Sequence, residues 1–222
     1  MSEWGTHNEI LPPRPIILVG GGGHCRSVID AVESVGGIIA GIIDLPDRVG
    51  GKVFTYPVIG TDPDIPSFVA NHRFIITLGH MGNPAARLRI RELIEKSGGE
   101  LATVTASTAR VSPHSRVGDG TVVLAHASVN AGASIGSDCI INTGAIIEHD
   151  VVIENEVHIS TGAIINGGAH IGPRTFIGSG AVIGQGVTIG ADIMLGAGSV
   201  TVRDLSAPGV YFGSPAKLHR HI

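Results

Sequence analysis

Aromatic rings are scarce in this sequence. Phe, Tyr and Trp together make up 4% of its 222 residues, although hydrophobic residues of all kinds reach 43%. A core built almost without rings has to be tiled from small aliphatic side chains, and such tiles favour a regular, repeating lattice. Cysteine is rarer still: Cys25 and Cys139 are too few for a disulfide framework, and a reducing compartment is the simpler reading. An excess of positive charge is missing too. The formal net charge of -4 leaves no basic footprint for a nucleic acid. Long apolar runs are also lacking; IILV at 16–19 is far too short to span a bilayer. The opening MSEWGTHNEILPPRP carries no basic segment running into an apolar one, so it does not read as a signal peptide. These absences argue against secreted, membrane-bound and nucleic-acid-binding classes. They favour a soluble protein of the cytoplasm.

Glycine, by contrast, is abundant, with 33 residues. Two stretches use it under different rules. Residues 1–15 read as an extended tail, because PPRP does not enter a regular element. From 16 to 100 the pattern alternates between strand and helix. IILV (16–19) leads through the turn GGGG (20–23) to a helical spacing of Val28, Ala31, Val32 and Val35, closed by Gly36. IIAGIID (38–44) and FIITLG (74–79) are further strands, and PAARLRIRELIEKSG (84–98) is an amphipathic helix with proline near its start. This alternation predicts a small α/β domain with a parallel, Rossmann-like sheet.

From 101 to 204 the rules change. An aliphatic residue returns every six positions, from Val111 and Val117 through Ile147 and Ile153 to Leu195, and a small or aliphatic residue follows four later, as at Cys139, Ala145 and Ala163. A period of six fits neither a helix nor a flat strand. It is the signature of a parallel β-helix in which three hexads close one triangular coil. The fifteen hexads therefore predict about five coils. Residues 205–222 read as a C-terminal tail.

Positions eighteen apart stack in such a prism. His149, third in its hexad, falls on an outward turn, and Gly167 falls directly over it one coil further on. A glycine there is expected to leave open space and a bare N–H beside the imidazole, which would join a base to an oxyanion donor. Asp150 follows at once, and a carboxylate on one ring nitrogen fixes the tautomer and raises the basicity of the other. A corner histidine is also common as mere decoration, and His126, His158 and His170 occupy the same prism.

VGGGGH after the first strand, INTGAIIEHD in the prism and GSPAK near the end together resemble the PglD-type nucleotide-aminosugar N-acetyltransferases. These are hexapeptide-repeat acyltransferases related to the sialic acid O-acetyltransferases, and the likeness runs from about Ile16 to Lys217. The resemblance implies a left-handed prism, an exception to the right-handed crossover rule. It implies acetyl-CoA as co-substrate, no metal, and a homotrimer with the cofactor groove between neighbouring copies. His149 would then be the general base tuned by Asp150, and the Gly167 N–H the oxyanion donor. His158 would lie near the acetyl group, and acetyl-CoA would meet the backbone at Gly167, Ser179 and Ala197. The nucleotide sugar would contact Gly22, Gly23 and His24 in the loop, Asp44 and Gly79 at strand ends, and Asn142 in the prism.

The glycine loop does not make a dinucleotide fingerprint, since Cys25 or Arg26 stands where the third glycine belongs. A glycine turn feeding a helix N-terminus still suits a phosphate. Relatives continue the third strand as GDN or GNN, whereas this chain reads GHMGN, which leaves the nucleotide open. The expected reaction is acetyl transfer to the 4-amino group of a nucleotide-linked 4-amino-4,6-dideoxy sugar. Transfer to a hydroxyl of a sialic acid or related sugar would use the same base and cofactor. A zinc hydratase on such a prism would need two histidines about five residues apart, and His149, His158 and His170 have wider spacings. A non-catalytic scaffold is the remaining reading.

Overall fold

The computed structural model describes residues 14–221, so nearly all of the expected tail 1–15 lies outside the described residues. The first half is built on β1 (Ile16–Val19), α1 (Gly23–Ser34), β2 (Ile39–Ile43), β3 (Lys52–Val53), β4 (Tyr56–Gly60), α2 (Ile65–Phe68), β5 (Arg73–Ile76), α3 (Ala85–Lys96) and β6 (Glu100–Leu101). The sheet runs β3-β4-β2-β1-β5-β6 and is parallel except for the β3–β4 hairpin. All four residues of β1 are buried, as expected of a central strand covered on both faces. Its side chains alternate between two cores: Ile16 and Leu18 pack with Val28, Ile29 and Val32 of α1, while Ile17 and Val19 pack with Ile90 and Ile94 of α3. Val35, expected on the buried stripe, is 41% exposed because the helix has already ended at Ser34.

The second half is a parallel β-helix of short strands in three sheets, here called its faces. The first face carries Ile140–Ile141, His158–Ile159 and Phe176–Ile177, the second Ile146–Ile147 and Ile164–Ile165, and the third Val152–Ile153 and His170–Ile171. The pairings Ile140↔His158, Ile146↔Ile164 and Val152↔His170 give the eighteen-residue coil read from the sequence. Hexad heads such as Ile141, Ile147 and Ile159 are fully buried, and so are Cys139, Ala145 and Val151 between them. Each buried aliphatic stabilises the prism by about 1.5–3 kcal/mol, and the lattice repeats that gain coil after coil.

The corners have two requirements. From Gly120 onward the fourth residue of each hexad turns left-handed: Gly144 and Gly162 have φ of 67 and 65, and Asp150, Asp138 and Glu156 share that conformation at φ 59, 55 and 63. The second residue is often glycine for another reason. A Cβ on Gly178 would stand 2.5 Å from the Ala197 nitrogen of the next coil.

The outer rows of the three faces differ sharply. On the first face Val104, Val122 and Ile140 are buried in one core with α1, so the α/β domain sits on this face. On the second face the row opens with Arg110 and Ser128 and then turns aliphatic, with Ile146, Ile164, Val182 and Val200 half-buried. On the third face Arg116, Ser134, Val152, His170 and Thr188 give a mainly polar row. Arg87 of α3 is 2% exposed and ties the halves together: it donates to the carbonyls of Ile76 (3.0 Å) and Leu78 and to the carboxylate of Asp138 in the prism. Removing either partner of a buried pair of this kind leaves the other charge uncompensated, so the link is costly to break.

Candidate active site

His149 and Asp150 occupy the corner between the second and third faces. Asp150 is the left-handed fourth residue of its hexad, and that backbone turns its carboxylate back to the His149 ring: Oδ2 lies 2.9 Å from Nδ1. A carboxylate only accepts, so Nδ1 carries the proton and Nε2 presents a lone pair. Both side chains are exposed, His149 at 59%. Glu148, the third polar group in this run, has a different task. Its Oε2 accepts from Asn130 Nδ2 at 3.0 Å, a rung in a ladder along the outside of the prism.

Gly167 lies over His149 as the coil period requires, but the space is not open. A Cβ there would meet His149 Nε2 at 2.6 Å and Cε1 at 2.7 Å, because the imidazole itself lies against the glycine and buries it. The expectation of bare space and an accessible amide is corrected accordingly: the missing side chain makes room for the ring. The Gly167 carbonyl accepts from the Gly186 N–H at 3.0 Å, while its own N–H has no partner among the described residues.

The glycine loop lies at the carboxyl edge of the parallel sheet. Here β1 sits between β2 and β5 and the chain order reverses, the place where ligands bind in open α/β sheets. Gly20 and Gly21 are packed, a Cβ on Gly21 coming within 2.5 Å of the Asp44 carboxylate, whereas Gly22 and Gly23 have nothing within 4 Å. Gly79, after β5, stands beside His24, with 3.7 Å from a built Cβ to that of the histidine. Gly22, Gly23, His24, Asp44 and Gly79 are thus brought to one edge.

That edge faces a buried cluster on the first face of the prism. His158 is 7% exposed and lies 6.3 Å from His24, 5.5 Å from His80 and 5.1 Å from Phe176, ring centre to ring centre. Its Nδ1 donates to the His80 carbonyl (2.9 Å), and Asn142 Nδ2 meets its Nε2 (3.2 Å). Burial, with the Arg87 guanidinium adding to it, lowers His24 and His80 to about 3 and His158 to about 4. Burial also pushes the free thiols of Cys25 and Cys139 up to about 11 and about 12, so neither is a thiolate nucleophile near neutrality.

Ser179 and Ala197 are exposed at a different corner, between the first and second faces, on the column below Thr143. Both are third in their hexads, like Gly167, and their N–H groups likewise have no partner among the described residues. One chain therefore brings the expected residues into three groups but does not unite them: the second face separates His149 and Gly167 from His24, Asn142 and His158. The sequence reading missed His80, Arg87 and Phe176. Arg87 had a usable signal, since it precedes Ile90 and Ile94 by three and seven residues and so shares their buried stripe. Among the described residues no group of three or more His, Cys, Asp or Glu is arranged to hold a metal ion, and no helix is long and apolar enough to cross a membrane.

Comparison with known proteins extends this picture. Residues 15–94 match the PglD N-terminal domain, and residues 168–203 match the bacterial transferase hexapeptide (six repeats). No curated protein matches the chain by sequence. Among solved structures, a histidine-to-asparagine mutant of perosamine N-acetyltransferase from Caulobacter crescentus, in complex with CoA and GDP-perosamine, superposes with a TM-score of 0.87 at 34% identity, covering 93% of this chain and 97% of that one. The acetyltransferase domain of PglB from Neisseria gonorrhoeae gives 0.84 at 34% identity, covering 92% and 99%. WeeI from Acinetobacter baumannii, at 23% identity and a TM-score of 0.81, has the same fold.

Proposed function

This chain belongs to the PglD-type family of sugar N-acetyltransferases, an α/β domain followed by a left-handed parallel β-helix, and from that premise we propose that it transfers the acetyl group of acetyl-CoA to the amino group of a nucleotide-linked amino sugar. The observation that carries the reading is the His149–Asp150 pair, an exposed imidazole with one nitrogen held by a carboxylate and the other free to accept a proton. The amine nitrogen attacks the thioester carbonyl and forms the new N–C bond, while His149 Nε2 takes its proton. The carbonyl oxygen becomes an oxyanion, and the Gly167 N–H is the proposed donor to it. For that the exposed ring swings off the glycine, a rotation that takes picoseconds to nanoseconds. The C–S bond then breaks, and the imidazolium returns its proton to the departing thiolate.

The proposed acceptor is the 4-amino group of a 4-amino-4,6-dideoxy sugar. Its nucleotide would lie along Gly22, Gly23 and Asp44, with phosphates at the N-terminus of α1. Acetyl-CoA would follow the free amides of Gly167, Ser179 and Ala197. A homotrimer is proposed because the aliphatic row Ile146, Ile164, Val182 and Val200 is only half-buried by the described residues and lies between the groups that must meet. Prisms side by side around a three-fold axis keep equal coils level. His149 of one copy then faces the Asn142 corner of the next. The reaction is proposed to take place in the cytoplasm.

The test is CoA release from acetyl-CoA against a panel of UDP-, dTDP- and GDP-linked 4-amino sugars, with His149→Ala alongside. Turnover with one sugar, abolished in the variant, is the expected result. Silence across the panel with turnover on a sialic acid would change the acceptor to a hydroxyl, and failure to bind acetyl-CoA would end the reading.

A further inference from the structure

Two hydrogen bonds fix the His158 ring completely. The His80 carbonyl can only accept, so Nδ1 carries the proton (2.9 Å). Nε2 is then a lone pair, and Asn142 Nδ2 donates to it at 3.2 Å. The same carboxamide accepts the Thr143 N–H through Oδ1 at 2.8 Å. Flipping the amide would set a donor against the Thr143 N–H and an acceptor against the histidine lone pair. The series His80 C=O, His158, Asn142, Thr143 N–H therefore has one consistent proton arrangement.

The geometry points to His158 as a positioning residue, a single neutral tautomer that aims the Asn142 carboxamide, whose second N–H is the donor an oxygen of the acceptor sugar meets. Among the described residues only one Nδ2 hydrogen is used, and Asn142 is half-buried at the corner that also carries Ser179 and Ala197. It belongs to the same coil as His149, so in neighbouring copies the donor and the base stand level. This inference rests on the acetyl-transfer reading of that cleft and names the residue that orients its acceptor.

A charged His158 has no place in this arrangement. A proton on Nε2 would point at the Asn142 amide, donor against donor. His24 from α1, His80 after β5 and the Phe176 ring from the next coil surround the ring and keep water from it. Arg87 from α3 adds its positive charge, and only the hydrogen bond to the His80 carbonyl works the other way. Desolvation and the Arg87 charge both disfavour the imidazolium, and the ring stays neutral until about 4. His80 enters by its main chain, so the contact does not depend on which side chain follows Gly79.

The test has a part that needs no substrate. In protein labelled with 15N at histidine, His158 should show the Nδ1–H tautomer without titrating from about pH 8 to about pH 5. An Nε2–H tautomer, or titration in that range, would overturn the assignment. Kinetics supply the second part. His158→Gln keeps a donor for His80 and an acceptor for Asn142, and should stay within about tenfold of the parent in kcat/KM for the sugar, with an unchanged pH profile. His158→Leu and Asn142→Ala should each lose about a hundredfold, mainly through the sugar rather than acetyl-CoA, and the double variant should lose little more. If His158→Gln melts like the parent but is as inactive as His158→Leu, or loses a limb of the pH profile, the residue carries protons and the inference is wrong. Absence of parent turnover across the panel would instead sink the acetyl-transfer reading and the acceptor contact, while the tautomer would still decide the state of His158.

Discussion

His149 and His158 stand nine residues apart in one coil of one prism, and they have opposite fates. His149, at 59% exposure, gives one nitrogen to Asp150 and keeps the other available. His158, at 7%, has both nitrogens committed within the chain and is held neutral by burial. The coil does not make this difference, since its interior is the same aliphatic lattice under both. What lies outside makes it. His149 projects from a bare corner, and His158 from the face on which the α/β domain sits. Histidine chemistry in this fold is assigned by the covering of each face.

The largest expected effect tests the exposed side. His149→Ala should lower kcat by about a thousandfold, the scale of a general base, with no change in melting temperature. A loss under tenfold in a folded variant would break the contrast. Gly167→Ala comes next: its Cβ would stand 2.6 Å from His149 Nε2 and force the ring aside. A misplacement of that size should cost about a hundredfold in kcat, read in the same assay beside a melting curve that does not move.

The buried side is tested by acid. His80 and His158 gain protons in the folded protein only near about 3 and about 4, whereas an unfolded chain protonates histidine near about 6.5. Between those values the unfolded state binds more protons, so folding stability is complete above about pH 6.5 and falls as pH drops. Each of the two residues should cost up to about 2 kcal/mol by about pH 5, measured by urea unfolding across that range. A flat stability profile would mean the cluster is wetter than its geometry. Smallest is Asp150→Asn, in a left-handed position that asparagine tolerates. It keeps an acceptor oxygen but removes the charge that favours the imidazolium, and kcat should fall about tenfold.

The inner lattice was legible in the sequence because each inward position depends on neighbours at a fixed distance along the chain. The eighteen-residue coil, the buried Cys139 and Ala145 and the stacking of Gly167 over His149 all follow from that period. The state of the space between Gly167 and His149 did not follow, because a period places backbones and not the rotamer of a ring. Arg87 and Asp138 meet across 51 residues, and no local pattern announces such a contact. The His80 carbonyl is less legible still, since a main-chain acceptor leaves no trace in residue identity. The side chains of GHMGN are visible in the sequence, while the contact this segment makes to His158 runs through the backbone of His80.

The three outer rows carry a consequence of their own. Hexad heads and corner residues specify the coil without reference to anything beyond it, so each face behaves as an independently editable column. One column is written for the α/β domain, one is aliphatic from Ile146 onward, and one is mainly polar. Drift in one column can change what the protein docks against while the inner register stays as it is. A repeat that looks monotonous in sequence thus gives this chain three surfaces that can evolve at separate rates.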